Sequence, residues 1–220
     1  PGLYSIEINK KGERSFSYWR DQSPTKYIFL GSKGKHLLND IKNSDIFYYS
    51  GISVGILDVN QKEQLIKVGA TANICGFDFN FRHQLHHDKK KSQVIFKEIN
   101  NHVDINFVSY DDVKQLFNTR NPNQIFDVLN KEDNLILLRY KNLIIFKKFD
   151  QEIKSIKVPH GEVVDTTAAG DAFNGSFLAL LNNNINISIE ENILRSHKVT
   201  REVIKHKGAI IKKDQMPINI

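Results

Sequence analysis

The densest chemical signal in the 220-residue sequence is Asp165-Thr166-Thr167-Ala168-Ala169-Gly170-Asp171-Ala172-Phe173-Asn174-Gly175. Small residues fill Thr166 to Gly170, and apolar Phe173, Phe177 and Leu180/Leu181 then recur at helical spacing. That pattern predicts a turn opening a helix. The first N–H groups of a helix have no internal partner, and the helix dipole adds partial positive charge there. The amides of Ala168, Ala169 and Gly170 would point at one spot, a cradle for an anion such as a transferring phosphoryl group. Asp171 stands beside it. A carboxylate there can accept the proton of a substrate hydroxyl as that oxygen attacks the γ-phosphate of ATP. The same residues fit a plainer reading, in which Asp165 or Thr166 caps the first turn, Gly170 fills a crowded position and Asp171 complements the dipole. Spacing alone leaves these readings about even.

The elements that must position this loop are visible as changes of period. Residues 3–8 and 14–20 are β-branched and aromatic runs around Gly12, which predicts a β-hairpin. Helical patterns over 34–43, 60–69, 88–101, 110–118 and 122–130 alternate with strands over 45–50, 73–79 and 104–108. The first of these strands reads as buried on both faces and ends at Gly51. Strands near 134–139, 142–148 and 151–158 follow without helices, which predicts an antiparallel meander closing the sheet. Two long helices, about 169–182 and 188–206, complete the pattern. The expected fold class is therefore layered α/β with a mostly parallel sheet.

Hydrophobic residues make up 40% of the chain, enough for a sizeable core. Its longest apolar runs, such as 135–138 and 177–181, fall short of a membrane span. Lys+Arg 31 against Asp+Glu 25 gives a formal charge of +6. The lysines are scattered among Asn and Ile and form no long basic stripe with aromatics, so neither nucleic acid nor a membrane is the expected partner. The single cysteine, Cys75, excludes an intrachain disulfide and a cysteine-based zinc site, and its apolar strand predicts a buried core role. His83, His86 and His87 have spacings that could meet on one helical face, but no nearby cysteine or firmly placed carboxylate completes a metal set, so a solvated loop is expected. The chain opens on Pro-Gly rather than Met and carries no leader, which suggests an incomplete chain and a cytoplasmic setting.

Residues 165–173 fill every specified position of D-T-x-[GA]-A-G-D-x-F, the second signature of the ribokinase-like (PfkB) carbohydrate kinase family, and the chain resembles that family on this ground. Within it the sequence is most similar to 2-keto-3-deoxygluconate kinases. The likeness includes Pro1-Gly2-Leu3-Tyr4, Gly12-Glu13-Arg14, Tyr18-Trp19-Arg20, Ser50-Gly51-Ile52-Ser53, Asp78/Asn80/Arg82 and Gly208-Ala209-Ile210-Ile211. The resemblance implies a ribokinase-like three-layer sandwich with a small β lid, N-terminally truncated. Residues 1–26 would be a lid remnant and 27–220 the α/β domain. It implies ATP and Mg2+ as cofactors, no metal held by protein ligands alone, and a sugar acid as substrate. Asp171 would be the base, with Ala168, Ala169 and Gly170 around the phosphate. Tyr4, Tyr18 and Arg20 would contact the keto-acid, and Arg82 would assist with substrate or phosphate. Arg forks and Tyr hydroxyls suit a carboxylate flanked by hydroxyls. Lid strands could pair into a homo-oligomer.

Some positions depart from the family pattern. Its opening segment, with a Gly-Gly-Asn/Thr-x-Ala stretch, is missing, and Leu138-Arg139-Tyr140 stands where relatives have a K-x-G turn. Tyr110-Asp111-Asp112-Val113 replaces a stretch with a Glu near the magnesium waters, although Asp112 substitutes if the register slips by one. Thr200 and Arg201 stand where relatives place small residues beside adenine. A related kinase with another acceptor, or an inactive remnant, are the alternative expectations.

Overall fold

The computed structural model describes residues 2–8, 14–19, 23–129, 131, 133–148, 151–183 and 186–217, except the side chains of residues 6, 8, 14–16 and 18. Strands β1 (Leu3–Ile8) and β2 (Arg14–Trp19) pair antiparallel as a two-stranded sheet of their own, with Tyr4 opposite Tyr18. The main sheet runs in the order β3 (Ile46–Ser50), β4 (Ile74–Asp78), β5 (Ile105–Ser109), β6 (Leu135–Tyr140), β7 (Leu143–Lys148), β8 (Lys154–Lys157). The first four strands are parallel and the last two antiparallel. This is the mostly parallel sheet with a closing meander that the sequence periods imply.

Eight helices surround it among the described residues: α1 (Gly31–Lys42), α2 (Gly51–Ile56), α3 (Val59–Gly69), α4 (Lys89–Asn100), α5 (Tyr110–Phe117), α6 (Gln124–Val128), α7 (Ala169–Asn183) and α8 (Ile189–Val203). Asp58, Asp88 and Ser188 each accept an N–H three residues on, which fixes where α3, α4 and α8 begin.

Side-chain alternation divides the core into two layers. Cys75, Phe77, Ile136, Leu138 and Ile145 face one side, against Ile41, Leu65, Phe96, Leu116 and Ile125. Ile105, Phe107, Leu135, Leu137 and Phe146 face the other, against Phe173, Phe177, Leu178 and Ile193 of α7 and α8. Helices thus cover both faces. Burying each of the α7 phenylalanines contributes about 1.5–3 kcal/mol, so the register of α7 on the sheet is strongly held.

The structure corrects two expectations. β3 is an edge strand with mostly half-buried side chains, because only β4 pairs with it among the described residues. After Ser50 the chain enters α2 at once. A Cβ on Gly51 would overlap the carbonyl oxygen of Phe79, so only glycine allows this approach. The second concerns the histidines: His83 and His87 are exposed, but His86 is a core residue at 7% exposure. Its ring stacks on Phe81 and meets Phe96 edge-on, both at 5.2 Å, and its Nε2 hydrogen-bonds the Gly51 carbonyl at 2.9 Å. Burial holds its pKa below the usual histidine value. Cys75 is buried as expected, its thiol pushed up to about 12 by burial and then by Asp104.

Candidate active site

The loop before α7 is built by its own side chains. Asp165 accepts the Thr167 N–H at 2.7 Å through Oδ1 and the Gly208 N–H at 2.9 Å through Oδ2. The Val164 and Asp165 N–H groups donate to the Ile204 carbonyl at the end of α8. Asp165 therefore fastens the loop to the segment after α8. Ala168 adopts φ +60°, a left-handed conformation uncommon for a residue with a Cβ, and this bends the chain into the first turn of α7. Ala169 donates its N–H to the Thr166 carbonyl at 3.2 Å. Asp171 lies in the first turn, exposed to solvent, where a reacting hydroxyl can reach it.

Around this turn the carboxyl ends of the parallel strands supply charged and polar groups, the usual place for ligands in such sheets. Tyr48 of β3 donates its hydroxyl to Asp78 Oδ2 at 3.3 Å and accepts from Asn174 Nδ2 at 3.0 Å. Arg139 of β6 donates to Asn174 Oδ1 at 3.1 Å and to the Gly170 carbonyl at 3.5 Å, and its other terminal nitrogen lies 3.8 Å from Asp78 Oδ1. A Cβ on Gly170 would sit 3.4 Å from that guanidinium. Arg139 also lies over the Phe173 ring at 5.9 Å. Arg82 donates to the Phe81 carbonyl at 2.9 Å and pairs with Asp112 at 3.5 Å.

Burial shapes the charges of this cluster. It pushes the Asp78 carboxyl up, Arg139 opposes that, and the negative charge of Asp171 adds to it. Burial, followed by Asp78, also raises Tyr48, so its hydroxyl keeps its proton. Asp112 is pushed up to about 6, chiefly by burial, with Arg82 opposing and Asp78 adding. These mutual influences place Arg82, Asp112, Asp78, Arg139 and Asp171 in one electrostatic neighbourhood.

Ala168, Ala169, Gly170, Asp171 and Arg82 thus sit in or beside the cluster. Tyr4 stands on the separate hairpin sheet at 53% exposure. Arg20 and the Tyr18 side chain lie outside the described residues. Asp78, Asn80 and Arg82 do not share a strand face as alternation implied, because β4 ends at Asp78 and Asn80 turns to φ +31°. Val113 is fully buried in the core, while its neighbour Asp112 faces Arg82. Tyr140 meets Tyr110 edge-on at 4.8 Å. Thr200 is buried and bonds back to the Ser196 carbonyl, and Arg201 lies against the backbone at Gly161. Tyr48, Arg139 and Asn174 were not picked out as site residues from sequence. Asn174 directly follows the signature and Arg139 lies inside the altered K-x-G turn.

Among the described residues no group of three or more His, Cys, Asp or Glu is arranged to hold a metal ion, and no helix is long and apolar enough to cross a membrane.

The family model of the pfkB carbohydrate kinases matches residues 1–216. The 2-dehydro-3-deoxygluconokinase of Escherichia coli strain K12 is 30% identical over 232 residues, covering 99% of this chain and 72% of the relative. That of Haemophilus influenzae is 33% identical over 223 residues, covering 97% and 70%. In structure, the chain is similar to the Arabidopsis thaliana ribokinase complexed with ribose and ATP, with a TM-score of 0.72 at 18% identity. That match covers 98% of this chain and 66% of the ribokinase, so the chain spans roughly two thirds to three quarters of these proteins' lengths. The fold is ribokinase-like. With the signature loop, the cluster at the strand ends and a match along nearly its whole length, the chain belongs to the PfkB family of carbohydrate kinases, phosphotransferases that act on sugars.

Proposed function

We propose that the protein phosphorylates 2-keto-3-deoxygluconate, the compound also called 2-dehydro-3-deoxygluconate, at its 6-hydroxyl with ATP and Mg2+. The observation that carries this reading is Asp171 in the exposed first turn of α7, behind the Ala168-Ala169-Gly170 bend, in a chain that is 30–33% identical to kinases named for that substrate.

The residues present fit a phosphate donor. Small side chains leave the start of α7 open to an anion, and the Arg139 guanidinium lies beside Gly170. When bound, ATP supplies the transferred phosphoryl group and Mg2+ offsets its charge. Asp171 takes the proton from the attacking hydroxyl. Its carboxylate is held by the first turn of α7, whose position follows from the burial of Phe173 and Phe177. Arg139 brings positive charge to the side of the loop where negative charge develops. Arg82, steadied by Asp112, is the group that meets the substrate carboxylate. The hairpin carrying Tyr4, Tyr18 and Arg20 forms a lid over the sugar acid, with residues 1–26 as that lid and 27–220 as the α/β domain.

The test is a substrate panel with the complete protein, ATP and Mg2+. Turnover of the keto-acid well above neutral hexoses and ribose is expected, and exclusive turnover of a neutral sugar would overturn the assignment. The bulk of Tyr140 and Arg201 favours a second reading, a non-catalytic descendant. Calorimetry helps separate the two, because micromolar, Mg2+-dependent ATP binding counts heavily against the second.

A further inference from the structure

Asp78 is 3% exposed, and its Oδ1 accepts no hydrogen bond among the described residues. Placing a carboxylate there is costly unless its partners are complete, and an incompletely satisfied buried charge in a native fold calls for a role. Its surroundings supply one. Four elements are linked through this side chain: β4 carries it, β3 brings Tyr48 and β6 brings Arg139 to it, and these two reach Asn174 and the Gly170 carbonyl of α7. Both routes away from Asp78 end on the first two turns of α7. One runs through the Tyr48 hydroxyl to Asn174 Nδ2, and the other through Arg139 to Asn174 Oδ1 and Gly170.

Resting on the kinase reading above, we propose that Asp78 is a positioning residue for phosphoryl transfer, acting through Arg139 and Tyr48 to fix the start of α7 and the carboxylate of Asp171. The chemistry of the partners suits the task. A guanidinium presents several donors in a rigid fork, so one side chain can hold α7 and face Asp78 together, which an ammonium does poorly. Asn174 is fully buried and spans the fork and the tyrosine with its two amide atoms, so its orientation is set by both. A displacement of about 1 Å at a reacting group can lower a rate by about 100-fold, so holding this turn has kinetic weight.

The experiment compares the complete wild-type protein with Asp78→Asn, Arg139→Lys and Arg139→Ala by steady-state kinetics and by hydrogen–deuterium exchange. For Asp78→Asn, kcat is expected to fall about 10- to 100-fold while KM for ATP and for the sugar acid stays within about threefold. Arg139→Lys should fall between wild type and Arg139→Ala. Exchange of the amides at 169–173 should rise at least about fivefold in Asp78→Asn, with α8 unchanged. A lower Tm with unchanged kcat per folded molecule would reduce Asp78 to a structural residue and overturn the proposal. A raised KM with unchanged kcat would overturn it as well. If the wild type turns over no sugar, the kinase reading fails, and exchange at 169–173 alone decides whether Asp78 holds α7.

Discussion

Asp112→Asn should stabilise the protein, and by an amount that depends on pH. The Asp112 side chain is 16% exposed, faces Arg82 at 3.5 Å, and its pKa is raised from 3.8 to about 6, mainly by burial. The folded state therefore binds this proton more tightly than the unfolded chain does. The group's penalty is complete above the folded value and fades as pH falls towards the unfolded one. At roughly 1.4 kcal/mol for each tenfold change in proton affinity, carrying the ionised carboxylate costs about 3 kcal/mol at pH 7.5. At pH 5, where Asp112 is largely protonated when folded, roughly half of that penalty remains. The loss of attraction to Arg82 is already contained in these figures, because Arg82 is one of the influences that set the pKa. For a chain of this size each kcal/mol moves Tm by about 2–4 °C, so the variant should melt ~6–12 °C higher at pH 7.5 and ~3–6 °C higher at pH 5. Differential scanning calorimetry at the two pH values provides the assay. An equal gain at both, or a loss at pH 7.5, would refute the idea that Asp112 is held ionised against its burial. Stability given up in this way is common where a residue serves a reaction.

Other outcomes follow from single positions. Ala168→Gly relieves a left-handed alanine worth about 1–2 kcal/mol and loses somewhat less to the freer unfolded chain, so a net gain of about 0.5–1 kcal/mol should appear in urea melts. Gly51→Ala forces a methyl group onto the Phe79 carbonyl and against Phe96, and a loss of about 3 kcal/mol with poor soluble yield is expected; a variant as stable as wild type would mean that α2 sits elsewhere. Cys75, with its thiol pushed up to about 12, should resist a thiol reagent in the native protein and react fully in guanidinium, and rapid native labelling would contradict its burial.

Much of the fold was legible because it is written in local periods. The alternation of strands and helices, the meander and the two closing helices all come from side chains that repeat within a single element. The signature loop was legible for the same reason: turn, small residues and helix are contiguous from Asp165 to Phe173. The cluster around it was not. Tyr48, Asp78, Arg139 and Asn174 come from four elements as much as 126 residues apart, and no local pattern records that Tyr48 and Asn174 touch. Asp78 and Arg82 were visible as a motif, but the alternation argument failed at Asn80, whose positive φ ends the strand pattern. The histidine loop failed differently. Three imidazoles in a polar stretch read as solvated, yet Gly55 opens the space that His86 fills, and the Gly51 carbonyl one helical turn away hydrogen-bonds its ring. His86 and its glycines lie more than 30 residues apart in the chain, so their fit appears only once the chain is folded.

If the α7 loop transfers a phosphoryl group with Asp171 as base, removing that carboxylate must slow turnover without loosening the fold. ADP release by the complete protein is measured with 2-keto-3-deoxygluconate, ATP and Mg2+, for wild type and for Asp171→Asn. Because Asp171 is exposed, the substitution should leave Tm nearly unchanged while kcat falls by about 100- to 10,000-fold. Turnover by the variant within a few-fold of wild type, with the keto-acid as acceptor, would contradict the account.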